Sequence, residues 1–284
     1  MTATIVDGKE IAAAILGEVE KSVAGAVSAG GRRPHLAIVV ADDPAALSYT
    51  KSLQKKGENV GVEVTVEKAA AARGPGIAVL SALADDPAVD AVILQRPFID
   101  RSVDGELSDL ISPTKDVDGQ SSASLGALWA GRPCFPASTA AAAVLILEHY
   151  DVQIEGAEAV VVGRSTVVGK PAAALLLNRH ATVTICHTRT KELAGVCKRA
   201  DIVIAAAGRA GLVTGDMVKP GAAVIDCGYN FLDDGTVVGD AVFDEVAEVA
   251  ALTNKAVGGV GPITTAILLK HVAGAAVPTE VESF

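Results

Sequence analysis

The sequence predicts an α/β protein of two domains, each built on a parallel sheet with helices on both faces. Short apolar runs alternate with longer helical patterns along the 284 residues, and this alternation is typical of βαβ units. Half of the residues are apolar but only 3% are aromatic. The core must therefore consist of Ala, Val, Leu and Ile, which suits helices packed on a parallel sheet. The length allows one or two domains.

The first series of elements begins with HLAIVVA at 35–41, which predicts a buried strand. PAALSYTKSLQKKGENVG follows at 44–61 and predicts a helix that ends near Gly61. The segments VEVTVEKA, PGIAVLSALADDP and VDAVILQRP then predict a strand, a helix and a strand. We expect this series to form the sheet of a first domain that spans residues 1–138.

The second series begins near residue 157 with AEAVVVGRS and continues through alternating strand and helix patterns to VGGVGP. Between the two series, STAAAAVLILEHYD predicts a connecting helix. We therefore expect a Rossmann-type second domain at residues 139–264 and a cleft between the domains. The last helix, at about 265–284, is expected to pack back on the first domain.

Charge and cysteine usage exclude several classes of function. The net charge is −10 without a long basic run, so nucleic acid is not an expected partner. No apolar run reaches the ~18–20 residues of a membrane span, and MTATIVDGKEIAAAI has no signal-peptide pattern. We expect no membrane association and a cytoplasmic location. Cys134, Cys186, Cys197 and Cys227 lack C-x-x-C spacing, so we expect free thiols and no metal site.

A glycine turn in AVVVGRSTVVGKPAAALLL, residues 159–177, predicts a nucleotide site. Gly163 would permit a tight turn after the strand, Gly169 would permit close packing, and helix N–H groups would face a pyrophosphate. The spacing G-x-S-x-x-x-G differs from the usual G-x-G-x-x-G. An ordinary strand–helix turn is therefore the alternative interpretation.

The strand after this helix distinguishes NAD from NADP. A site for NAD usually carries Asp or Glu at the end of the second strand, where it binds the ribose 2′-hydroxyl, but TICHTRT contains no acid. Arg164 lies in the glycine turn, and Thr188 and Arg189 lie near the strand end. Arginine forks suit a 2′-phosphate, so we predict NADP. The alternative is that both arginines are solvated surface charges.

Nine segments, in order, resemble the methylenetetrahydrofolate dehydrogenase/cyclohydrolase family. They are DDPAALSYTKS, VILQRP, PTKDVDG, PCFP, VVVGRSTVVGKP, TICHTRT, KPGAAVIDCGYN, VVGDAVF and GGVGPITTAIL, and the resemblance that they carry extends over nearly the whole chain. The resemblance implies a folate-binding domain, an NADP domain and a homodimer. It also implies an enzyme that oxidises 5,10-methylenetetrahydrofolate to 5,10-methenyltetrahydrofolate with NADP and then hydrolyses the product.

The resemblance also assigns residues by position. Tyr49 would stack on the folate ring, Gln95 would hydrogen-bond near the reacting centre, and Asp118 would hold the pterin amino and ring N–H groups. Pro262 and Thr265 complete the implied substrate set. Taken alone, the first three are a helix surface residue, a strand end and a turn former. The implied cofactor-binding residues are Gly163, Arg164, Ser165, Val168, Gly169, His187, Thr188, Arg189, Ala207, Gly208, Cys227, Gly228, Tyr229 and Gly259.

The sequence departs from the family at one catalytic position. The family pattern is Y-x-x-x-K, whose lysine is associated with cyclohydrolase chemistry, whereas this chain has Leu53 there. Hydride transfer mainly needs positioning, but water addition and ring opening need an acid/base group, which typically contributes ~10²–10⁴-fold. We predict dehydrogenase activity with weak or absent cyclohydrolase activity, unless Lys56 bends back toward Tyr49.

Three other interpretations stay open. The chain could be an ordinary bifunctional enzyme in which Lys56 or another group replaces the missing amine. It could be a non-catalytic folate- or nucleotide-binding protein, because QRPFI, PCFPAST and KAVGGVG also depart from the family. It could instead oxidise an altered one-carbon carrier, in which case Arg96 and Phe135 would be its signatures.

Overall fold

The computed structural model describes residues 2–276, which form two compact α/β units. The three-stranded unit comprises residues 13–138 and 265–276 of the described chain, and the six-stranded unit comprises residues 2–12 and 139–264. Both sheets are parallel, so the predicted two-domain α/β class is confirmed. No helix in this part of the chain is long and apolar enough to cross a membrane.

The strands and helices of residues 2–276 are numbered in chain order. The strands are β1 (Thr4–Ile5), β2 (His35–Val40), β3 (Glu63–Lys68), β4 (Ala91–Leu94), β5 (Glu158–Val162), β6 (Thr182–Cys186), β7 (Ile202–Ala205), β8 (Ala223–Asp226), β9 (Asn230–Phe231), β10 (Val237–Val238) and β11 (Leu252–Thr253). The helices are α1 (Gly8–Ser28), α2 (Pro44–Asn59), α3 (Arg73–Asp85), α4 (Arg101–Ser108), α5 (Ser122–Trp129), α6 (Ser138–His149), α7 (Gly169–Asn178), α8 (Leu193–Cys197), α9 (Phe243–Val249) and α10 (Val260–Ala276).

The smaller sheet has the order β3-β2-β4, and its central strand is covered on both faces. Side chains alternate across a strand, so Leu36 and Ile38 enter one core, while Ala37 and Val39 enter the other. All four are fully buried, which explains why β2 is a continuous apolar run rather than an alternating one. Leu53 of α2 packs in the first of these cores.

The larger sheet has the order β1-β11-β8-β7-β5-β6. The strand β5 pairs with β6 along one of its edges and with β7, the next strand in the chain, along its other edge. This reversal is the topological switch point at which open α/β sheets bind ligands, beyond the carboxyl ends of the strands. The segments after β5, β6, β7 and β8 all leave at that edge and contain most of the predicted cofactor residues.

Residues 2–12 differ from their expected placement in the first domain, 1–138. Residues 2–12 cluster with the six-stranded unit, because β1 pairs in parallel with β11 and Gly8 N–H donates to Gly258 O at 3.0 Å. The predicted last helix, at about 265–284, is described as α10 up to Ala276 and clusters from residue 265 with the three-stranded unit. The rest of that prediction lies outside the described residues.

Candidate functional site

Tyr49 lies beside Asp118 and Thr265 in the three-stranded unit. Its helix, α2, starts with Pro44 at the first turn, after Asp43, whose carboxylate accepts the Ala46 N–H at 2.7 Å. Burial and the charge of Asp118 raise the pKa of Tyr49 to about 12, while a hydrogen bond with Thr265 opposes the shift. Tyr49 is therefore a neutral phenol at neutral pH. Although its hydroxyl group is buried, the residue as a whole is 37% exposed, so part of the side chain remains available to a ligand.

Two hydrogen bonds orient the Asp118 carboxylate. Gln120 Nε2 donates to Oδ2 at 2.7 Å and Ser138 N–H donates to Oδ1 at 3.2 Å. Burial raises the pKa of Asp118, and these donors partly offset that effect. Gly119 follows with a φ of 57°, and a Cβ there would lie 2.5 Å from Phe135 O. A carboxylate offers about four lone-pair sites, so Asp118 can still accept two N–H groups from a flat ligand.

Gln95 follows the end of β4, where its N–H donates to Val39 O at 2.8 Å. Its side-chain amide makes no hydrogen bond within residues 2–276 and is only half-buried, so it can bind a ligand. The next residue, Arg96, donates from Nη2 to Ser108 Oγ at 2.7 Å. Burial lowers the pKa of Arg96, and the nearby carboxylates of Asp104 and Asp118 oppose this. Arg96 therefore places a cation close to Asp118.

Leu53 is part of the hydrophobic core of the three-stranded unit. It is 1% exposed and packs in the cluster that contains Leu36, Ile38 and residues of α10. Lys56 lies in the last turn of α2 and is half-buried. Its ammonium makes no hydrogen bond or ion pair in the described part of the chain. Phe135, named above as a possible specificity residue, is 8% exposed and packs against His271 with 5.2 Å between ring centroids.

The turn after β5 in the six-stranded unit requires glycine at two positions. Gly163 has a φ of 139°, and a Cβ on it would lie 2.0 Å from Ala206 O. A Cβ on Gly169, the first residue of α7, would lie 2.4 Å from Gly163 O. The backbones after β5 and β7 therefore approach each other closely at the switch point. Such glycine turns allow a pyrophosphate to approach the backbone.

Ser165 uses two N–H groups that the sequence predicts to face a pyrophosphate. Its Oγ accepts the N–H of Val168 at 3.1 Å and of Gly169 at 3.3 Å. Serine side chains commonly form such local bonds at helix starts. Lys170 N–H donates to Ser165 O at 2.9 Å, and Pro171 has no N–H. The first turn of α7 is therefore satisfied from within the chain, against the prediction, and the N–H groups available to a phosphate are those of residues 164–167 in the turn itself.

Arg164 and Arg189 lie in neighbouring segments, because β5 pairs with β6 up to Val162 and Cys186. Both arginines are exposed, and neither guanidinium has a hydrogen bond or ion pair among the described residues. The segment after β6 forms a tight turn, in which His187 N–H donates to Thr190 Oγ1 at 2.8 Å and Arg189 N–H donates to His187 Nδ1 at 3.1 Å. Thr188, between them, is exposed.

Two buried carboxylates, which the sequence does not mark as functional, organise the segments after β7 and β8. Asp240 accepts the N–H groups of Ala207 and Gly208, and that of Arg209 at 2.9 Å. Asp226 accepts the N–H groups of Gly228 at 2.8 Å, Asp240 at 3.0 Å and Ala241 at 2.9 Å. Burial raises the pKa of Asp226 to about 6. Asp240 lies in VVGDAVF, a segment that the sequence singles out only through its resemblance to the family.

The remaining predicted residues lie in the same six-stranded unit. Cys227 is half-buried and burial raises its pKa, so it is a thiol. Tyr229 is 58% exposed and stacks edge-on with Phe231. Gly259 packs so closely on Gly8 that a Cβ on Gly8 would lie 1.8 Å from Gly259 O. Pro262, predicted for the substrate, clusters with this unit, whereas Tyr49, Gln95, Asp118 and Thr265 belong to the three-stranded unit.

Comparison with known proteins covers both units. Residues 6–118 match the catalytic domain of the tetrahydrofolate dehydrogenase/cyclohydrolase family, and residues 136–279 match its NAD(P)-binding domain. The bifunctional protein FolD of Nocardia farcinica is 47% identical over 272 residues, which cover 95% of this chain and 96% of that protein.

Solved structures agree with this match. The bifunctional enzyme FolD from Campylobacter jejuni has a TM-score of 0.92 and 34% identity, and the match covers 96% of this chain and 98% of that one. The Trypanosoma brucei dehydrogenase-cyclohydrolase, crystallised with NADP and an inhibitor, has a TM-score of 0.89 and 31% identity, with 97% and 98% covered. The predicted resemblance is confirmed: this chain belongs to the tetrahydrofolate dehydrogenase/cyclohydrolase family and carries its NAD(P)-binding domain.

Proposed function

We propose that this protein oxidises 5,10-methylenetetrahydrofolate to 5,10-methenyltetrahydrofolate, with NADP as the hydride acceptor. The observation that carries the proposal is the Asp118 carboxylate, oriented by two donors and lying beside a neutral Tyr49. Its free lone pairs suit the adjacent amino and ring N–H groups of a pterin. Tyr49 provides a partly exposed ring for stacking, and Gln95 provides an amide that has no other partner in the described chain.

The six-stranded unit fits a dinucleotide. Bound NADP supplies the nicotinamide that accepts the hydride. We propose that the backbone N–H groups of residues 164–167, in the turn after Gly163, hold the pyrophosphate, and that the Arg164 and Arg189 side chains bind the 2′-phosphate. Asp226 and Asp240 hold the segments after β7 and β8 in place through backbone N–H groups, which pre-organises that edge of the sheet for the cofactor.

The chemistry needs positioning rather than an acid or base. The carbon that loses hydride becomes a cation stabilised by the two adjacent folate nitrogens, so no proton has to leave it. We propose that the cyclohydrolase step is weak or absent, because the family's lysine position holds Leu53, which is buried in the core. Ring opening after water addition requires proton transfers, and a leucine supplies none.

A second candidate is the bifunctional enzyme. The printed names of the relatives favour it, and the Lys56 ammonium has no partner in the described residues. Substituting Leu53 by Lys would not distinguish the two candidates cleanly, because a new ammonium in a packed core costs stability by itself. The unmodified chain is the better subject for the test.

A paired assay on the purified protein tests the proposal. We expect NADP reduction when 5,10-methylenetetrahydrofolate is added, and hydrolysis of 5,10-methenyltetrahydrofolate at the rate of buffer alone. Fast hydrolysis that disappears in Lys56→Met would establish the bifunctional candidate with Lys56 as the replacement. No NADP reduction with any folate would favour a non-catalytic binding protein, and reduction only with another one-carbon carrier would identify an altered substrate.

Arg189→Ala is expected to raise the KM for NADP by about 10–100-fold, because a hydrogen bond to a charged group contributes about 1.5–3 kcal/mol. The KM for NAD, which lacks the 2′-phosphate, should stay the same. Arg199→Ala is the matched control, since Arg199 is also exposed in the six-stranded unit but pairs with Glu158 at 3.4 Å. Equal KM values for NADP in Arg189→Ala and the parent protein would rule out this contact.

We further propose that the protein is a cytoplasmic homodimer. Exposed apolar side chains close together mark interaction surfaces, and Phe231 is 68% and Leu232 43% exposed beside the β9–β10 hairpin. Cys134, Cys186 and Cys197 are buried and free, as expected in a reducing compartment. Light scattering should give twice the 28.7 kDa chain mass, and Phe231→Ser should lower it toward the monomer. A monomeric parent protein would exclude the dimer.

A further inference from the structure

We propose that Gln120 is a positioning residue for Asp118: its side-chain amide keeps this carboxylate ionised and aimed at the pterin, and so sets the lowest pH at which folate binds. The inference rests on the proposed function of Asp118. It adds a residue that the family resemblance does not assign, because KDVDG ends at Gly119, one residue before Gln120.

The backbone of Gln120 is fixed before its side chain acts. Asp116 is 1% exposed, and its carboxylate accepts the N–H of Gln120 at 2.9 Å, the N–H of Ser121 at 2.8 Å and the Ser124 hydroxyl at 2.7 Å. Ser121 in turn caps α5 by accepting the Ser124 N–H at 3.1 Å. The main chain of Gln120 is therefore held in place, and only its side-chain torsions have to be ordered when the amide binds Asp118.

The amide orientation follows from its two neighbours. Gln120 Nε2 lies 2.7 Å from Asp118 Oδ2, which can only accept when ionised, and Oε1 faces the Ser108 hydroxyl at 3.5 Å. The 2.7 Å bond is in the range of charge-assisted bonds, which are about twice as strong as neutral ones. It stabilises the charged carboxylate against the burial that raises the pKa of Asp118.

The other charged groups near Asp118 do not replace this donor. Asp116 raises the pKa of Asp118 by repulsion, and Tyr49 is a neutral phenol at neutral pH. His271 is also neutral, because burial lowers its pKa to about 4, and its Nδ1 donates to Val117 O at 2.8 Å. Arg96 is a cation that interacts electrostatically with Asp118, but its guanidinium donates to Ser108 Oγ and Asp104 O.

Protonation of Asp118 would remove the acceptor that the pterin N–H groups need. A neutral carboxylic acid turns one oxygen into a donor, which would face the donors of the ligand. Any change that raises the pKa of Asp118 therefore moves the acid limb of folate binding to higher pH. Gln120→Leu removes the donor at similar side-chain size, whereas Gln120→Glu puts a second carboxylate against the first.

Steady-state kinetics of Gln120→Leu across pH test the proposal. We expect the KM for 5,10-methylenetetrahydrofolate to rise about tenfold at pH 7, and the acid midpoint of kcat/KM to move up by about one pH unit. The kcat at saturation and the KM for NADP should change little. Gln120→Glu should show a larger shift in the same direction.

Gln54→Leu is the matched control for a merely structural effect. Gln54 Nε2 donates to Val64 O at 3.2 Å in the same unit, so its loss lowers stability without touching Asp118. We expect the pH midpoint of this variant to equal that of the parent protein. A pH midpoint and KM unchanged in Gln120→Leu would overturn the proposal, whatever its thermal stability.

The role of Gln120 can be tested separately from the proposed enzyme activity, by measuring the titration of Asp118 directly. Carbon NMR of labelled aspartate carboxyls, assigned with Asp118→Asn, reports the titration of Asp118 without any substrate. A higher pKa for Asp118 in Gln120→Leu than in the parent protein would support the role of Gln120 even in a protein that never reduced NADP. Identical titration curves would overturn it even in an active enzyme.

Discussion

Asp118→Ala is expected to lower kcat/KM for 5,10-methylenetetrahydrofolate by about 10²–10⁴-fold while leaving NADP affinity unchanged. The variant removes both oxygens that would accept the pterin N–H groups, and hydrogen bonds to a charged group contribute about 1.5–3 kcal/mol each. Two such bonds correspond to this range at 1.4 kcal/mol per factor of ten. The Gln120 amide and the Ser138 N–H, which now donate to Asp118, would also lose their acceptor.

The measurement is steady-state NADP reduction, together with the NADP dissociation constant from titration calorimetry. Asp118→Asn keeps the shape of the side chain but turns one acceptor into a donor, so we expect a comparable loss in a variant that folds readily. Asp109→Ala serves as control, because Asp109 also accepts two hydrogen bonds, from Ser122 at 2.6 and 3.0 Å, in the same unit. Activity of Asp118→Ala within threefold of the parent would contradict the assigned role.

Gly163→Ala is expected to lower the free energy of unfolding by about 2–6 kcal/mol and to abolish NADP binding. Its φ of 139° is a conformation that L residues rarely adopt, and the new Cβ would lie 2.0 Å from Ala206 O. Backbone strain of this kind costs about 1–3 kcal/mol, and overpacking costs a similar amount. The turn cannot simply move away, because Gly163 N–H donates to Cys186 O on the other side at 2.9 Å.

Urea unfolding measures the loss, and Gly195→Ala is its control. Gly195 lies in α8 of the same unit, and a Cβ there would have no atom within 4 Å. Alanine in a helix is better than glycine by roughly 0.5–1 kcal/mol, so this variant should equal or exceed the parent in stability. Equal unfolding midpoints for Gly163→Ala and the parent protein would show that the turn relaxes, and would remove the steric argument for glycine.

Much of the fold follows from periodicity and from turn residues. The run at 35–41 is the central strand β2, His35–Val40, because a parallel strand covered on both faces needs apolar residues throughout. The helix predicted at 44–61 is α2, Pro44–Asn59, and Gly61 follows it with a φ of 83°. Placement of Gln95 and Gly163 after strand ends also follows, since strand boundaries are marked by the change from apolar to polar residues.

Other features could not be predicted from local pattern. The strand β1 has two residues, too few for any period, and only its partner β11 explains where it lies. The bond from Gln120 to Asp118 depends on the geometry of the turn at Gly119, whereas the letters DGQ indicate no more than a turn. Ser165 was predicted for the cofactor, but its hydroxyl also bonds Val168 and Gly169 N–H, which spacing alone does not reveal.

Leu53 shows how far a single departure from a family pattern can be interpreted. The sequence shows that the lysine amine is missing from the position four residues after Tyr49, and chemistry then predicts that the cyclohydrolase reaction is the one weakened. The structure adds that Leu53 is 1% exposed among core residues. The change therefore also contributes apolar packing, and truncation to Ala would cost about 2–5 kcal/mol.

The pairing of β1 with β11 has a consequence for biosynthesis. Thr4 and Ile5 are translated long before Leu252 and Thr253, their partners in the sheet. The core of the three-stranded unit likewise includes Leu268 and Leu269 of α10, which are translated after the strands of that unit's sheet. Neither core can close on a nascent chain that stops short of these segments. Nascent chains will therefore display apolar surface to chaperones and proteases until β11 and α10 have been translated.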